Sequence, residues 1–252
     1  MPTLVFEHTP FAGAAGILGT TLRNYGHRFR FVRPASASGL PDAMPDDLDD
    51  VDAIVATDGA QTLLTNSPSW AAAEMALLQQ AHARQIPIVG LGFGARILAK
   101  ALGGELSAEG DHGWQPNTLS FVGREEPIYK GIPWSTPQLF WQSESLAKLP
   151  DGAVSYSASV RHAHVPPAQP ATPPLPKPTI RAFAAGVFTF GFEHQWWLDA
   201  TMFARVGAPH EVQWSDHGAV SERLGARIAE NIALYLMPVD RVNAGRTKDL
   251  HY

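Results

Sequence analysis

The chain has 252 residues, of which 45% are hydrophobic and 17% charged, with a formal net charge of −5 and no cysteine. This length suits one large α/β domain or two small ones, and we favour one domain spanning residues 1–252. No run of Lys or Arg favours nucleic acid or an acidic membrane surface, and no apolar stretch reaches the ~20 residues that span a bilayer. The missing cysteines exclude disulfides, thiolate metal sites and thiol nucleophiles. Because the first residues lack the features of a signal peptide, we expect a cytoplasmic protein.

The first hundred residues alternate short apolar runs with helical stretches. The predicted strands are Leu4–Glu7, Phe29–Arg33, Asp52–Thr57 and Ile86–Leu91. The predicted helices are Ala14–Tyr25 and Trp70–Arg84, and the acidic segment Pro41–Asp50 is predicted to be a surface connection. Continuous apolar strands between helices indicate a parallel sheet covered on both faces. The pattern therefore predicts a doubly wound, three-layer α/β/α sandwich with ligands at the carboxyl ends of the strands.

Beyond Gly104 the apolar runs become shorter, and several of them are expected to pair antiparallel. They are Thr118–Val122, Gln138–Gln142, Ala153–Ser157, Ile180–Ala184 and Val187–Glu193. An amphipathic pattern predicts a closing helix over Ser221–Leu236. Val165–Pro178 holds seven prolines in fourteen residues, which predicts an exposed surface loop or, alternatively, a ligand for an aromatic groove. Residues 238–252 are predicted to form a tail that is a candidate contact arm.

The most specific local pattern is Gly90–Gly94, at the end of an apolar strand and the start of an alanine-rich helix. Small residues at alternate positions allow a tight strand-to-helix turn, the geometry of a nucleophile elbow. The new helix would point its free N–H groups at the same place. An elbow carries Ser or Cys at its centre, whereas this chain has Gly92. A phosphate-binding glycine loop and plain tight packing therefore remain alternatives.

The neighbouring sequence favours the elbow, because Pro87–Gly104 resembles the corresponding segment of class I glutamine amidotransferases without a gap. That family reads roughly Pro-Val-Leu-Gly-Ile-Cys-Leu-Gly-His/Ala-Gln-Leu-Leu-Ala-x-Ala-Leu-Gly-Gly. Other segments resemble its stand-alone, GMP-synthase-like branch in the same order: Leu4–Gly13, Asp58–Ala60, Pro68–Trp70, Gly113-Trp114, Phe140–Glu144 and Leu149–Ala153. The resemblance covers residues 3–236 and implies a flavodoxin-like or Rossmann-like sandwich with a mostly parallel sheet.

The same resemblance implies that the family's chemistry has been lost. Family members hydrolyse the side-chain amide of glutamine with a Cys nucleophile, a His base and a Glu that orients the His. Gly92 stands at the Cys position, Gln195 at the His position and Trp197 at the Glu position. A one-residue slip would bring His194 to the base position, but Trp196 would then replace the carboxylate. The triad is degenerate in either alignment, and no glutaminase activity is expected.

The resemblance also indicates a ligand pocket. The family's oxyanion donors are backbone N–H groups, which map to Gly59 and Phe93. Arg96 stands where the family has Gln, and Gln142 stands at a common His position, so the pocket wall has changed. The remaining predicted pocket residues are Asp58, Glu193 and His194.

These observations support three functional hypotheses. The first is a catalytically degenerate binding or regulatory subunit, acting as a homodimer or in a hetero-complex with a synthetase-like enzyme. The second is a repurposed enzyme acting on a γ-glutamyl or related amide without a cysteine nucleophile, and the third is a small-molecule carrier. No cofactor is expected. A metal site at His162 and His164 is disfavoured against a solvated pair, because no carboxylate lies at supporting spacing.

Overall fold

The structure is a computed structural model that describes residues 2–9, 13, 15–34, 42–159, 179–206 and 212–237. The first part alternates strands and helices as the sequence predicts. Its elements are β1 (Thr3–Phe6), α1 (Gly16–Asn24), β2 (Phe29–Val32), β3 (Ala53–Ala56), α2 (Ala71–Ala83), β4 (Ile88–Leu91) and α3 (Phe93–Ala101).

The second part contains mostly strands and closes with two helices. Its elements are β5 (Glu105–Ser107), β6 (Asp111–Leu119), α4 (Phe121–Glu125), a 3-10 turn (Pro127–Tyr129), β7 (Ser135–Gln142), β8 (Ser145–Lys148), β9 (Val154–Ala158), β10 (Ile180–Ala185), β11 (Thr189–Phe192), α5 (Ala200–Val206) and α6 (Trp214–Tyr235).

Nine strands form one sheet in the order β2-β1-β3-β4-β11-β10-β9-β6-β7. The first five of these strands are parallel to one another, and the remaining four extend the sheet antiparallel. Strands β5 and β8 form a separate antiparallel pair. Because β4 lies between β3 and β11, the carboxyl ends of three parallel strands meet where α3 begins.

Two apolar cores lie on opposite faces of the sheet, because successive side chains of a strand point to opposite sides. In β1, Val5 belongs to the core under α1 and α6, whereas Leu4 and Phe6 belong to the core under α2 and α3. Strand β4 divides in the same way, with Val89 on the first face and Ile88 on the second. The predicted three-layer α/β/α sandwich is therefore confirmed.

Several predicted boundaries are wrong, and the predicted strand Thr118–Val122 is the clearest case. Only Thr118 and Leu119 are extended, because Ser120 accepts a hydrogen bond from the N–H of Gly123 and caps a short helix. The closing helix begins at Trp214 rather than Ser221. Strands β5 and β8 were not predicted. The proline-rich segment Val165–Pro178, the pair His162 and His164, and the tail 238–252 lie outside the described residues.

Candidate functional site

Gly92 occupies the tight turn between β4 and α3 that the sequence predicts. Its φ is 53° and its ψ is −112°, a backbone conformation that only glycine adopts without strain. The N–H of Gly92 donates to the carbonyl of Phe192 at 2.7 Å, which continues the pairing of β4 with β11. The turn therefore places residue 92 at the carboxyl edge of the parallel strands, at the amino end of α3.

The carboxylate of Asp58 fills the space in front of this turn. Its Oδ1 accepts hydrogen bonds from the N–H of Gly59 at 2.9 Å and from the N–H of Phe93 at 2.8 Å. These are the two backbone groups that the family resemblance assigns to the oxyanion hole. A β-carbon built on Gly92 would overlap the same carboxylate. Asp58 thus occupies both donors and the position that a cysteine side chain would need.

Gln195 closes the other side of the carboxylate. Its Nε2 donates to Oδ2 of Asp58 at 3.0 Å and, with longer geometry, to the carbonyl of Trp141 at 3.4 Å. Its own backbone N–H is bound to the carbonyl of Leu139 at 2.9 Å. A glutamine side chain neither accepts nor releases a proton near neutral pH. The residue at the position of the family's base therefore holds Asp58 in place and offers no proton transfer.

Trp197, at the position of the family's Glu, is a buried wall residue. Its side chain is 1% exposed, and its carbonyl accepts the N–H of Ile17 at the start of α1. An indole offers one N–H donor and no acceptor for orienting a base.

A cavity of about 450 Å³ lies over these residues. Of the predicted pocket residues, Asp58 and Gly59 line it, and two degenerate triad positions, Gln195 and Trp197, line it as well. Phe93 does not line the cavity, but its backbone N–H donates to Asp58, which does. The volume falls within the range of roughly 300–1,000 Å³ typical of small-molecule sites.

The predicted residues Arg96, Gln142 and Glu193 form a separate, fully buried network and do not line this cavity. Gln142 donates from Nε2 to Oε2 of Glu193 at 2.8 Å, and Arg96 donates weakly to Oε1 of Gln142 at 3.4 Å. The guanidinium also lies 3.8 Å from Oε1 of Glu193. Burial raises the pKa of Glu193 to about 7, while attraction by Arg96 opposes the rise and the charge of Asp58 adds to it.

The substitution Glu193→Gln should change how stability depends on pH. Because the folded pKa of about 7 exceeds the unfolded value of 4.5, folded Glu193 keeps a proton that the unfolded chain has released between these values. Wild-type stability therefore loses about 1.4 kcal/mol per pH unit through this group as pH rises across that window. The difference in unfolding free energy, variant minus wild type, should grow from pH 4.5 to pH 7.

Urea denaturation at a series of pH values measures this difference, and Glu109→Gln, at an exposed glutamate, provides a matched control. The difference for Glu193→Gln should grow more steeply with pH than the difference for Glu109→Gln. A constant difference for Glu193→Gln would show that this carboxyl does not titrate near neutrality in the folded protein.

His194, the alternative base, is buried and does not line the cavity. Its Nδ1 donates to the carbonyl of Arg181 at 3.4 Å, and its ring lies between Phe140 and Phe192. Burial lowers the pKa of His194 to about 3. The imidazole is therefore neutral and enclosed at physiological pH, and it does not face Asp58.

His8 is not among the residues that the sequence predicts, yet it lines the cavity beside Asp58. Its Nδ1 faces the carbonyl of Thr57 at 2.7 Å and its Nε2 faces the carboxylate of Glu74 at 2.9 Å, while the ring stacks on Trp70. Burial lowers the pKa of His8, but the charge and hydrogen bond of Glu74 outweigh burial, and the net pKa is raised. Both ring nitrogens are engaged by the protein, so His8 supports the cavity floor.

Metal-binding clusters and membrane-spanning helices are both missing from the described part of the chain. No group of three or more His, Cys, Asp or Glu side chains among those residues could hold a metal ion. Among the helices that the structure describes, none has the length and apolarity needed to cross a membrane.

Comparison with known proteins connects this geometry to a fold family. No protein-family model matches the sequence, and no curated protein matches it either. Solved structures do match. A glutamine amidotransferase from Methylobacillus flagellatus has a TM-score of 0.71 and 18% identity, covering 94% of this chain and 95% of that chain. A glutamine amidotransferase from Thermotoga maritima has a TM-score of 0.69 and 15% identity, covering 93% of this chain and 97% of that chain.

A third similar structure, described as one of the subunits of a GMP synthase from Thermoplasma acidophilum, has a TM-score of 0.58 and 13% identity. The alignment covers 98% of each chain. All three structures are similar over nearly their whole length, which agrees with the order of motifs seen in the sequence. The chain therefore has the fold of the class I glutamine amidotransferases.

Proposed function

We propose that this chain is a pseudoenzyme: an amidotransferase-like protein that has lost glutamine hydrolysis and serves as a binding or regulatory subunit. The observation that carries the proposal is the Asp58 carboxylate, which accepts from the N–H groups of both Gly59 and Phe93. Three losses therefore coincide in one place. The oxyanion donors are occupied, the nucleophile is absent at Gly92, and the base is replaced by Gln195.

The position of Asp58 makes the loss more complete than the missing cysteine alone. Amide hydrolysis passes through a tetrahedral intermediate whose negative oxygen needs preorganised N–H donors. Here a carboxylate already accepts from those donors, so a developing oxyanion would meet a negative charge instead. A substrate carbonyl could bind there only after Asp58 had moved away and broken its bonds to Gly59, Phe93 and Gln195.

Similarity to a protein described as one of the subunits of a GMP synthase supports a role within a larger complex. We infer that this chain forms a hetero-complex with a synthetase-like enzyme or a homodimer. In such a complex the chain would act through its surface and through the ligand state of its cavity, without delivering ammonia.

The experiment is an assay of ammonia release with glutamine as the sole substrate. We expect purified protein to give no release above a buffer blank, because Gly92 carries no nucleophile and Gln195 cannot act as a base. Glutamate release from N-substituted γ-glutamyl amides, whose leaving group is an amine, tests the repurposed enzyme, in which Asp58 is the one acidic residue of the predicted pocket that lines the cavity. Clear turnover of glutamine by the unmodified protein would contradict the proposal, and turnover of a γ-glutamyl amide alone would favour the alternative.

A further inference from the structure

The cavity beside Asp58 differs from a glutamine site because it presents a carboxylate in place of free N–H donors. We propose that it binds a ligand whose ammonium group meets Asp58 and whose apolar body lies against Trp141. The inference rests on the proposed function, since it treats the cavity as a binding site that does not hydrolyse glutamine.

The first step concerns hydrogen-bonding capacity. Oδ1 of Asp58 is engaged by two N–H groups, whereas Oδ2 accepts from Gln195 alone. A carboxylate oxygen can accept two hydrogen bonds, so Oδ2 keeps a free acceptor position beside the cavity.

The second, independent observation concerns the two amides that line the cavity. Gln195 is 7% exposed, and its Oε1 has no hydrogen-bond partner among the described residues. Oε1 of Gln61, another lining residue, is also buried without a partner in that part of the chain. Buried polar atoms are normally paired, and a carbonyl oxygen without a donor is costly. Both unsatisfied atoms are acceptors, so the missing partner is a donor.

The third step concerns charge. All three groups that bind Asp58 are neutral, namely two backbone N–H groups and one amide. Among the residues that the structure describes, Asp58 makes no ion pair. The nearby imidazole of His8 is already paired with Glu74 at 2.9 Å. A ligand cation would therefore pair with Asp58, which makes no ion pair with another described residue.

The walls define the rest of the ligand. Trp141 lines the cavity together with the apolar residues Leu198, Met202 and Val206, and the nearly fully buried Trp197 backs it. Aromatic faces attract cations and also cover apolar groups. The combination favours an amine with an aromatic or aliphatic body at Asp58. The exposed Arg205 also lines the cavity, but carboxylates and phosphates would find the N–H donors of Gly59 and Phe93 already occupied by Asp58.

Phenethylamine, phenylacetamide and phenylacetate test the inference, because they share a ring and differ in the charge of the head group. In calorimetry with the full chain, the affinity should decrease from the amine to the amide to the carboxylate. Asp58→Asn should weaken binding of phenethylamine by at least about tenfold, since the substitution removes the negative charge of Asp58. The asparagine oxygen can still accept from Gly59 and Phe93, and a thermal melt verifies folding.

A matched control removes one negative charge elsewhere. Asp49 is 79% exposed on its side chain and lies outside the cavity, so Asp49→Asn should leave the amine affinity unchanged. Equal amine affinity in Asp58→Asn and wild type, equal binding of phenylacetate and phenethylamine, or no binding of the amine at millimolar concentration would each overturn the inference. Ammonia release from glutamine, measured on the same preparation, separately tests the proposed function.

Discussion

Gly92→Ala should lower the free energy of unfolding by about 2–6 kcal/mol, the sum of backbone strain and steric overlap. The strain arises because alanine is disfavoured at a φ of 53° with a ψ of −112°. The overlap arises because the new β-carbon would meet the carboxylate of Asp58. To make room, Asp58 would have to leave the N–H groups of Gly59 and Phe93.

A double-mutant cycle with Asp58→Ala separates the two contributions. When the carboxylate is absent, the overlap disappears and the cost of Gly92→Ala should fall by about 1–3 kcal/mol. Gly103→Ala provides the control: its φ is +92° but nothing lies within 4 Å of the added β-carbon. Its cost should be the same with and without Asp58. Strict additivity of Gly92→Ala and Asp58→Ala in urea denaturation would show that the two sites do not compete for space.

The second large effect concerns restored chemistry. Gly92→Cys alone should stay at background, because Gln195 and Trp197 supply no proton transfer. From the sequence alone, adding Gln195→His and Trp197→Glu is expected to raise turnover, since general acid–base help is worth ~10²–10⁴-fold. The structure adds a fourth obstacle, because Asp58 still covers the oxyanion donors.

We therefore expect the triple variant to remain close to background while Asp58 is present. Adding Asp58→Gly, which removes the carboxylate from the two N–H donors, should raise ammonia release at least about 100-fold over the triple variant, the typical value of an oxyanion donor. Trp197→Glu places a carboxylate where a side chain is 1% exposed, so a thermal melt must accompany each assay. Turnover by a folded triple variant that equals turnover by the quadruple variant would show that Asp58 is not an obstacle.

The sequence predicts the elbow because its signal is local. Gly90, Gly92 and Gly94 span the junction between one apolar strand and one helix, so neighbouring residues alone indicate the turn. The parallel half of the sheet is predictable for the same reason, since each strand is a continuous apolar run between helices.

Contacts between distant parts of the chain are not predictable in this way. Asp58 reaches Phe93 across 35 residues and Gln195 across 137, and His8 reaches Glu74 across 66. The missing cysteine at position 92 is visible in the sequence, but only the fold shows that the Asp58 carboxylate fills the space in front of Gly92 and accepts from Gly59 and Phe93. Burial of His194 is equally invisible, because its neighbours in sequence do not reveal which way the ring points.

The early start of the last helix has a similar cause. The residues from Trp214 onward show a weak apolar pattern, so the sequence places the start at Ser221. In the fold, the indole of Trp114 donates to the carbonyl of Gln213 at 3.0 Å and its ring lies 6.1 Å from that of Trp214. Tertiary packing on β6 thus stabilises the first turns of the helix.

Amide hydrogen exchange at Gly59 and Phe93 tests most directly whether Asp58 occupies the oxyanion donors. In the wild type we expect both amides to be protected, because both donate to Oδ1 of Asp58. In Asp58→Ala both should exchange faster, while the amide of Gly94, which donates to the carbonyl of Thr57 at 3.0 Å, should keep its protection. Exchange of Gly59 and Phe93 at the same rate in the two proteins would contradict a site closed by its own carboxylate.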